Sequence, residues 1–524
     1  MKLTPKNPLQ AKACTLIATS MALATMVAST AAADQVRVFN ERVSGVPSAN
    51  PVQIADNIYS PEFAPGLLVE GIDLLENPSS VITEFGYLSD GTNTAPDQNT
   101  YLILDHNPGG PTPDYDYGRH FLFQGHENSG DLAYVTRINL DVASPDHRIT
   151  LLTPVGVDGL THFNSVDGSA WNPLSGTMLF TQEAGPNGGV IEMGSDFDPN
   201  TGAAAGLRTL YGSIGRAGYE GIHPDDQGDV WLVEDVGGTT VMNNGKNPNS
   251  FVYRFIPSTP GDLSHGKLQA LQVSINGSPV VFVPVDAQHP NGDTRSDNQL
   301  RLHTVGASWP VRWVTIHDTQ INGTDHFDAN ALAKAAGATP FKRPENGQFQ
   351  PNSHFRTFLF TITGDTDNTA GSDPVLSARG AWGGVFSIDL NANRNTGTIS
   401  LVVLGDAEHA AFDNITFADD RETILLTEDR GDMLHDQLDK LDSVWAYKLN
   451  SQHPNRNIVA RFVALGLDRM ATDEDNEPTG LHMSDGDSAI HGLLGTRELR
   501  TDRARLFFTE QHGENNLFEI FPRD

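Results

Sequence analysis

The feature of this chain that most constrains its fold is a strand-and-turn pattern that recurs six times. Each copy has an apolar run of four or five residues that ends in an acid-rich turn, and most copies continue into a second run. Short runs rich in β-branched and aromatic residues, bounded by Gly, Asp and Asn, are typical of β-strands. The copies read RHFLFQGHENSGDLAYVTRINL, GTMLFTQEAGPNGGVIEM, GDVWLVEDVGG with FVYRF, RTFLFTITGDTDN with GGVFSIDL, ETILLTEDRGD with SVWAYKL, and ARLFFTEQHGENNLFEIF.

Radial repetition of such units protects the edges of the sheets, so the pattern predicts an all-β fold, a six-bladed β-propeller with inserted loops and a few short helices. Helices are expected around residues 328–336 and 433–440. A wide interval after Glu234 predicts an insertion at about residues 257–340. A β-sandwich or a pair of β-domains is the alternative. The acids that end the six runs are Glu127, Glu183, Glu234, Asp365, Glu428 and Glu510.

We expect the runs that end in acids to be the inner strands of the blades; because inner strands all point the same way along the channel of a propeller, their equivalent ends meet at one mouth, and these turns should form one acidic site. The alternative is that each acid only keeps a hairpin end soluble. A second series of polar residues precedes the strands and is expected to join the same site. Oxygen ligands without thiolates suit hard cations such as calcium, magnesium or manganese. The second series comprises Asn164 with Asp167, Arg216 with Glu220, Arg343 with Glu345, Asp413 with Asn414, and Glu477.

The net charge of −32 limits the partners of this protein. Such an acidic excess disfavours nucleic acid and anionic membrane surfaces. It also repels phosphate-like substrates unless bound cations reverse the local field.

The first 33 residues have the pattern of a secretory signal peptide. Lys2, Lys6 and Lys12 precede an apolar stretch, and small residues follow as far as Ala33. A permanent membrane anchor is the alternative, but the apolar stretch is short. We therefore expect cleavage near Ala33, a single propeller domain over residues 34–524, and a periplasmic or extracellular location. The one cysteine, Cys14, lies inside this segment, so the mature chain would have no thiolate ligand.

Several of these motifs together resemble the PhoX-type secreted alkaline phosphatases. FLFQGHEN is similar to that family's asparagine-histidine-glutamate strand, and KRPENGQFQP to its Arg-Pro-Glu-Asp motif. The resemblance spans roughly residues 120 to 520 in register. The other segments of this sequence that carry the resemblance are FTQEAG, GRAGYEG, VEDVGG with FVYRF, FDNITFADDRETILLTED, and EPTG followed by LFFTEQHGEN.

The resemblance implies a six-bladed propeller that hydrolyses phosphate esters with calcium and ferric iron, held by carboxylates and one cysteine. It implies that Arg343 contacts the substrate phosphate and that Glu345 acts beside it, as a catalytic residue and as a metal ligand. Glu127 and Asp413, from the two acidic series, are added as further candidate metal ligands. The ligands carried over from the motifs are Glu183, Glu220, Asp235 and Glu345.

Two features depart from the family. Gln182 stands where the resembled enzymes have their cysteine, and no twin-arginine signal is present. An amide oxygen suits calcium but is a weak ligand for ferric iron, so calcium is the expected metal.

The expected function is that of a secreted, metal-dependent phosphoesterase, a monomer that acts on a small-molecule phosphate ester. One alternative is an ester hydrolase of the gluconolactonase type, with one divalent cation held by Glu, Asn and Asp. Asn164 and Asn414 are its candidate amide ligands. The other alternative is a calcium-binding, non-catalytic extracellular propeller.

Overall fold

A computed structural model of the protein describes residues 35–49, 56–418, 421–449, 458–467 and 476–523. The expected signal peptide lies outside these ranges. The principal strands form six antiparallel propeller blades, two of which are joined into one sheet, and we number the blades 1 to 6 in chain order of their innermost strands. The predicted six-bladed β-propeller is confirmed.

Each blade has four principal strands, ordered from the innermost outward. Blade 1 consists of Ala95–Ile103, His120–Glu127, Tyr134–Asn139 and Ile149–Leu151, and blade 2 of Val166–Asn172, Thr177–Gln182, Gly189–Gly194 and Arg208–Thr209. Blade 3 consists of Tyr219–Pro224, Val230–Glu234, Val252–Thr259 and Asp262–Ile275, and blade 4 of Pro344–Phe349, Thr357–Ile362, Gly384–Leu390 and Thr396–Leu404. Blade 5 consists of Phe412–Phe417, Thr423–Glu428, Ser443–Lys448 and Ile458–Ala464, and blade 6 of Glu477–Ser484, Arg505–Gln511, Leu517–Pro522 and Phe63–Val69.

The innermost strands form a closed ring, since each contacts the innermost strands of the preceding and following blades, and blade 6 contacts blade 1. Two strands that lie far apart in the sequence complete blade 6. Phe63–Val69 pairs with Leu517–Pro522 to form the outer edge of blade 6. Pairing distant segments in one sheet prevents the ring from opening at that blade.

The insertion lies between blades 3 and 4. Its strand Ser308–Asp318 pairs with Asp262–Ile275 on one side and with Thr396–Leu404 on the other, which joins the two blades into one sheet. The expected start near residue 257 falls inside Val252–Thr259, the third strand of blade 3. The insertion therefore starts later than expected, because blade 3 first completes its fourth strand.

The α-helices are short, and two of them lie where helices were predicted, at Ala329–Ala335 and Gly431–Leu438. Within the described ranges, no helix has the length and apolarity needed to cross a membrane. The other α-helices are Asp297–Leu302, Thr319–Asn322, Asn368–Ser372 and Pro374–Ser377; 3-10 turns occupy Pro145–His147, Gly185–Asn187, Met242–Asn244, Ile490–Gly492 and Leu494–Thr496; the remaining short strands are Arg37–Val38, Glu41–Arg42, Ile58–Tyr59, Phe197–Asp198, Ala203–Ala204 and Ser278–Pro279.

The apolar core is divided among the interfaces between neighbouring blades, with one large cluster at each interface. The strand period of two explains this division, since successive side chains of one strand point to opposite faces. Phe121 and Phe123 pack toward blade 2, whereas Leu122 between them packs toward blade 6. Burial on both faces holds the inner strands rigidly and fixes the residues at their ends.

Candidate metal centre

The innermost strand of every blade has one extra residue relative to its neighbour, near the same end of the channel. In blade 3, for example, Tyr219 pairs with Glu234 but Ile222 pairs with Leu232. Such a β-bulge bends the strand and redirects a side chain, and bulges are frequent beside active sites. The bulges of blades 1 to 5 each contain one acid, namely Asp97, Asp167, Glu220, Glu345 and Asp413.

The second strands supply further acids at the same mouth, because an antiparallel neighbour ends where the innermost strand begins. In total, ten carboxylates line one cavity of about 660 Å³. Every blade contributes at least one of them. Besides the five bulge acids they are Glu127, Glu183, Asp235, Asp429 and Glu477. The seven residues expected to be catalytic residues or metal ligands, Glu127, Glu183, Glu220, Asp235, Arg343, Glu345 and Asp413, all line this cavity.

The six strands that end in acid-rich turns differ from the prediction in two respects. These strands are second rather than innermost in their blades. Of the six acids that end them, only Glu127 and Glu183 line the cavity. Adjacent residues of a strand face opposite ways, so Asp235, Asp429 and Gln511 face the cavity in place of the acids that precede them. Those acids bind neighbouring groups instead: Glu234 accepts from Tyr253, Asp365 pairs with Lys342, Glu428 pairs with Arg430, and Glu510 accepts from Asn57.

Seven of the ten carboxylates fall into three overlapping groups, and within each group one oxygen of every residue lies within 4.8 Å of the others. Because Asp167 and Glu220 each belong to two groups, the acids form a continuous row from blade 1 to blade 4. Buried oxygens Asp97 Oδ1, Asp167 Oδ1 and Asp235 Oδ1 have no hydrogen-bonding partner among the described residues. Buried carboxylates without partners are costly, and hard cations would satisfy them. The groups are Asp97–Glu127–Asp167, Asp167–Glu183–Glu220 and Glu220–Asp235–Glu345.

Burial and mutual repulsion disfavour the charged form of these acids. Burial, and then the neighbouring carboxylate of Glu345, raise the pKa of Glu220 well above its usual value. Burial and Asp235 do the same to the pKa of Glu345. Burial and Asp429 raise the pKa of Asp413 to about 7. A bound cation would reverse this effect by favouring the ionised carboxylates.

Arg343 is the one lysine or arginine among the residues found to line the cavity. Its Nε donates to Asp235 Oδ2 at 2.8 Å, and Nη2 lies 3.5 Å from Glu345 Oε1 and 3.4 Å from Asp429 Oδ2. Burial alone would lower the pKa of Arg343, but these carboxylates raise it well above the usual value. The guanidinium is therefore a permanent cation, and its side chain retains 23% exposure toward the mouth.

Three amide residues that the sequence suggested as ligands lie outside the cavity lining. Gln182 donates from Nε2 to Tyr211 Oη at 2.7 Å and accepts from the backbone N–H of Asn164 at 3.2 Å. Asn414 Oδ1 accepts from the backbone N–H of Leu481 at 3.0 Å. The Asn164 side chain binds Asp131. Gln182 is therefore not placed to act as a ligand, because strand alternation turns its side chain away from the side on which Glu183 lines the cavity.

Sequence reasoning missed Asp97, although a signal for it exists. PDQN at residues 96–99 matches VDGS, YEGI, PENG and FDNI, the segments that carry the other four bulge acids. Each has an apolar residue or proline, an acid, and then a glycine or a side-chain amide at the second bulge position. Arg216 was considered but lies outside, where it donates to backbone carbonyls of Pro186 and Asn187.

Comparison with known proteins adds information about the fold. No protein-family model and no curated protein matches the sequence. Among solved structures, PhoX of Pseudomonas fluorescens in complex with vanadate, a transition-state analogue, is similar with a TM-score of 0.52 at 13% identity, over 92% of this chain and 98% of that one. The AA12 carbohydrate-active enzyme of Trichoderma reesei matches with a TM-score of 0.34 at 10% identity, covering 92% and 100% of the two chains. A putative 6-phosphogluconolactonase of Bacteroides fragilis matches with a TM-score of 0.32 at 11% identity, covering 76% and 89%. The chain thus shares the fold of PhoX over nearly the whole length of both proteins.

Proposed function

We propose that the acidic cavity is the active site of a metal-dependent phosphoesterase. The observation that carries this proposal is the position of Arg343, a permanently charged guanidinium at the edge of a row of carboxylates suited to cations. A phosphate would be repelled by these acids alone. With cations on the carboxylates, the same mouth would present positive charge and the N–H donors of Arg343 to an anionic substrate.

The residues that would hold the cations are those of the three carboxylate groups together with Asp413. Hard cations in such a site stabilise charge on phosphoryl oxygens and increase the acidity of bound water. We propose calcium or another hard divalent ion, because the ligand atoms are carboxylate oxygens and Gln182 binds Tyr211 instead.

Side chains of the protein hold the guanidinium of Arg343 in the orientation needed to bind a phosphate. Asp235 accepts from Nε of Arg343 and fixes the plane of the guanidinium. Glu345 Oε1 lies 3.5 Å from Nη2 of Arg343 and belongs to one of the carboxylate groups, so Glu345 would help to hold a cation next to the guanidinium that would bind the phosphate. Fixed donors at the place where a phosphoryl group carries its charge lower the barrier without reorganisation during reaction. A volume of about 660 Å³ accommodates a small-molecule ester.

We also propose that the protein is exported from the cytoplasm. The acidic protein is proposed to act outside the cytoplasm as a monomer, after removal of residues 1–33. Amino-terminal sequencing of exported protein should find a start near Asp34, and an exported chain that retains Met1 would contradict it.

The deciding experiment combines metal analysis with assays of purified protein. A phosphomonoester, a phosphodiester and a δ-lactone are offered before chelation, after it, and after return of calcium, magnesium or manganese. We expect phosphoester hydrolysis that depends on the returned ion. Arg343→Ala should lower kcat/KM by about 100-fold with unchanged metal content, as expected for loss of a charged donor to the transition state. Arg216→Ala, an arginine outside the cavity, is the matched control.

Each other outcome identifies an alternative. Hydrolysis of the lactone alone would favour the lactonase. Stoichiometric calcium without hydrolysis of any substrate would favour the non-catalytic propeller. Unchanged phosphatase activity in Arg343→Ala would reject the proposed role of Arg343.

A further inference from the structure

The mouth of the acidic cavity has two unlike halves. The order of the innermost strands around the ring places blade 4 opposite blade 1. Arg343 lies on the blade 4 side, where its guanidinium donates to Asp235 and lies 3.4 Å from Asp429. The opposite half has phenol, amide, hydroxyl and imidazole groups, on the loops of blades 6, 1 and 2, and these are more exposed than the buried bulge acids. We call these residues the rim wall: Tyr87, Asn93, Asn128, Ser129, Ser165 and His512.

Backbone and side-chain contacts join the rim wall into one continuous surface. The N–H of Ser165, at the entry to blade 2, donates to the carbonyl of Asn128 in blade 1 at 3.0 Å. Gln511 Nε2 of blade 6 donates to Glu127 Oε1 of blade 1 at 3.0 Å. Tyr87 Oη donates at 3.4 Å to a backbone carbonyl in the turn that follows Gln511. The rim wall therefore extends without a break from blade 6 to blade 2.

Three side chains of the rim wall have hydrogen-bonding groups open to the cavity. Within the described ranges, the hydroxyls of Ser129 and Ser165 make no hydrogen bond, and neither oxygen is buried. The imidazole of His512 is 48% exposed, and its Nε2 lies 3.7 Å from Glu477 Oε2, beyond hydrogen-bonding length. Ser165 and His512 also have φ of 40° and 58°, a strained conformation for residues other than glycine that is frequent at ligand sites.

The composition of the cavity lining restricts what can lie against the rim wall. None of the described residues that line the cavity is valine, leucine, isoleucine, methionine, phenylalanine or tryptophan. An apolar alcohol would therefore bury little apolar surface here, whereas the hydroxyls of a polyol could exchange water for protein hydrogen bonds. Arg343 is on the other half of the mouth, so a second anionic group would find no lysine or arginine at the rim wall.

We propose that the rim wall binds the alcohol part of the substrate and that this part is an uncharged, polyhydroxylated chain or ring, such as a sugar or sugar alcohol. This inference rests on the proposed function, because a phosphate bound at Arg343 leaves its alcohol part facing the opposite half of the mouth. Ser129, Ser165 and His512 would bind hydroxyls of that part, so they would determine which ester is preferred.

The test compares three esters of one six-carbon chain, each phosphorylated on a primary hydroxyl, with the full-length protein and the divalent ion that best restores activity. Sorbitol 6-phosphate has the hydroxyls, hexyl phosphate lacks them, and 6-phosphogluconate adds a carboxylate at the far end. We expect KM for sorbitol 6-phosphate to be at least tenfold lower than for the other two. A KM for sorbitol 6-phosphate no lower than for either of the others would overturn this inference alone, whereas hydrolysis of none of the esters would overturn the proposed function as well.

Variants locate the contact. His512→Ala and Ser129→Ala should each raise KM for sorbitol 6-phosphate by about three- to tenfold through loss of one hydrogen bond, with KM for hexyl phosphate and the metal content unchanged. His512→Gly, which suits a φ of 58°, removes the same group if the alanine variant fails to fold. His354→Ala is the matched control, because His354 is exposed and has a φ of 55° but lies in the loop at the opposite end of blade 4. Equal changes in KM for both esters in the His512 and Ser129 variants would overturn the proposal.

Discussion

Lys342 and Asp365 form an ion pair in which neither side chain has exposed surface, with Nζ 2.8 Å from both carboxylate oxygens. Lys342 immediately precedes Arg343, whose φ of 50° is a left-handed conformation that residues other than glycine seldom adopt. The N–H of Thr363 donates to the carbonyl of Arg343 at 3.0 Å. Contacts on both sides thus hold the strained residue with its guanidinium in the cavity.

Asp365→Asn should therefore reduce catalysis without removing metal. It leaves a buried lysine without its counter-ion, which costs about 3–5 kcal/mol of stability when one partner of a buried pair is removed. Relaxation of Arg343 should raise KM for a phosphoester more than it lowers kcat. Kinetics, metal analysis and thermal unfolding measure these effects, with the exposed Asp389→Asn as control. A variant with normal kinetics would show that the pair does not position Arg343.

Glu345→Gln should lower both the metal content and the rate of hydrolysis by more than tenfold, because Glu345 forms one of the three-residue carboxylate clusters with Glu220 and Asp235. Glu192→Gln is the control, since Glu192 is also buried but pairs with Arg208 outside the cavity. Elemental analysis and steady-state kinetics of both variants give the result. Equal losses in the two variants would argue against a shared centre.

The metal-free protein should lose stability as the pH rises from about 5 to 8. Its cavity acids have raised pKa values, about 7 for Asp413 and well above the usual value for Glu183 and Glu220. A group with a higher pKa in the folded state stabilises the fold fully below its unfolded pKa of about 4, and this contribution is lost as the pH passes the folded value. Melting temperatures measured against pH in chelator and in calcium test this. Calcium should flatten the curve, and a metal-free protein that becomes more stable with rising pH would contradict the assignment.

Purified protein should contain calcium or another hard divalent ion and little iron. Gln182→Cys should leave the iron content unchanged, because this side chain binds Tyr211 rather than facing the cavity. Elemental analysis of wild type and variant is the measurement. Near-stoichiometric iron in active wild-type protein would show that iron binding in this cavity needs no thiolate.

The sequence predicts the blades well because each blade is local: its central strands are short apolar runs joined by nearby turns. It predicts the acidic mouth less well, since a shift of one residue in a strand exchanges its two faces. Glu234 and Asp235 illustrate this, because Glu234 ends a strand and Asp235 follows it directly, but only Asp235 lines the cavity. Periodicity cannot choose between two adjacent acids at a strand end.

Local sequence patterns also could not predict the pairing of strands that lie far apart in the chain. Phe63–Val69, FAPGLLV, contains Pro65 and Gly66, which are both unfavourable inside a sheet. It forms a strand because it lies at the outer edge of blade 6, where one side needs no partner. The bulges were likewise unpredicted, because they depend on how each innermost strand packs against its neighbours around the channel.

The pairing of Phe63–Val69 with Leu517–Pro522 also determines when the acidic cavity can assemble. Until the last of these strands has been synthesised, blade 6 has no outer half, and the acids of blades 1 and 6 have no fixed distance between them. Ring closure is therefore a late event in the life of each molecule. If the cavity binds cations as proposed, these would be the ions present where the finished chain folds, so the cellular compartment, as well as the ligand set, would select the metal.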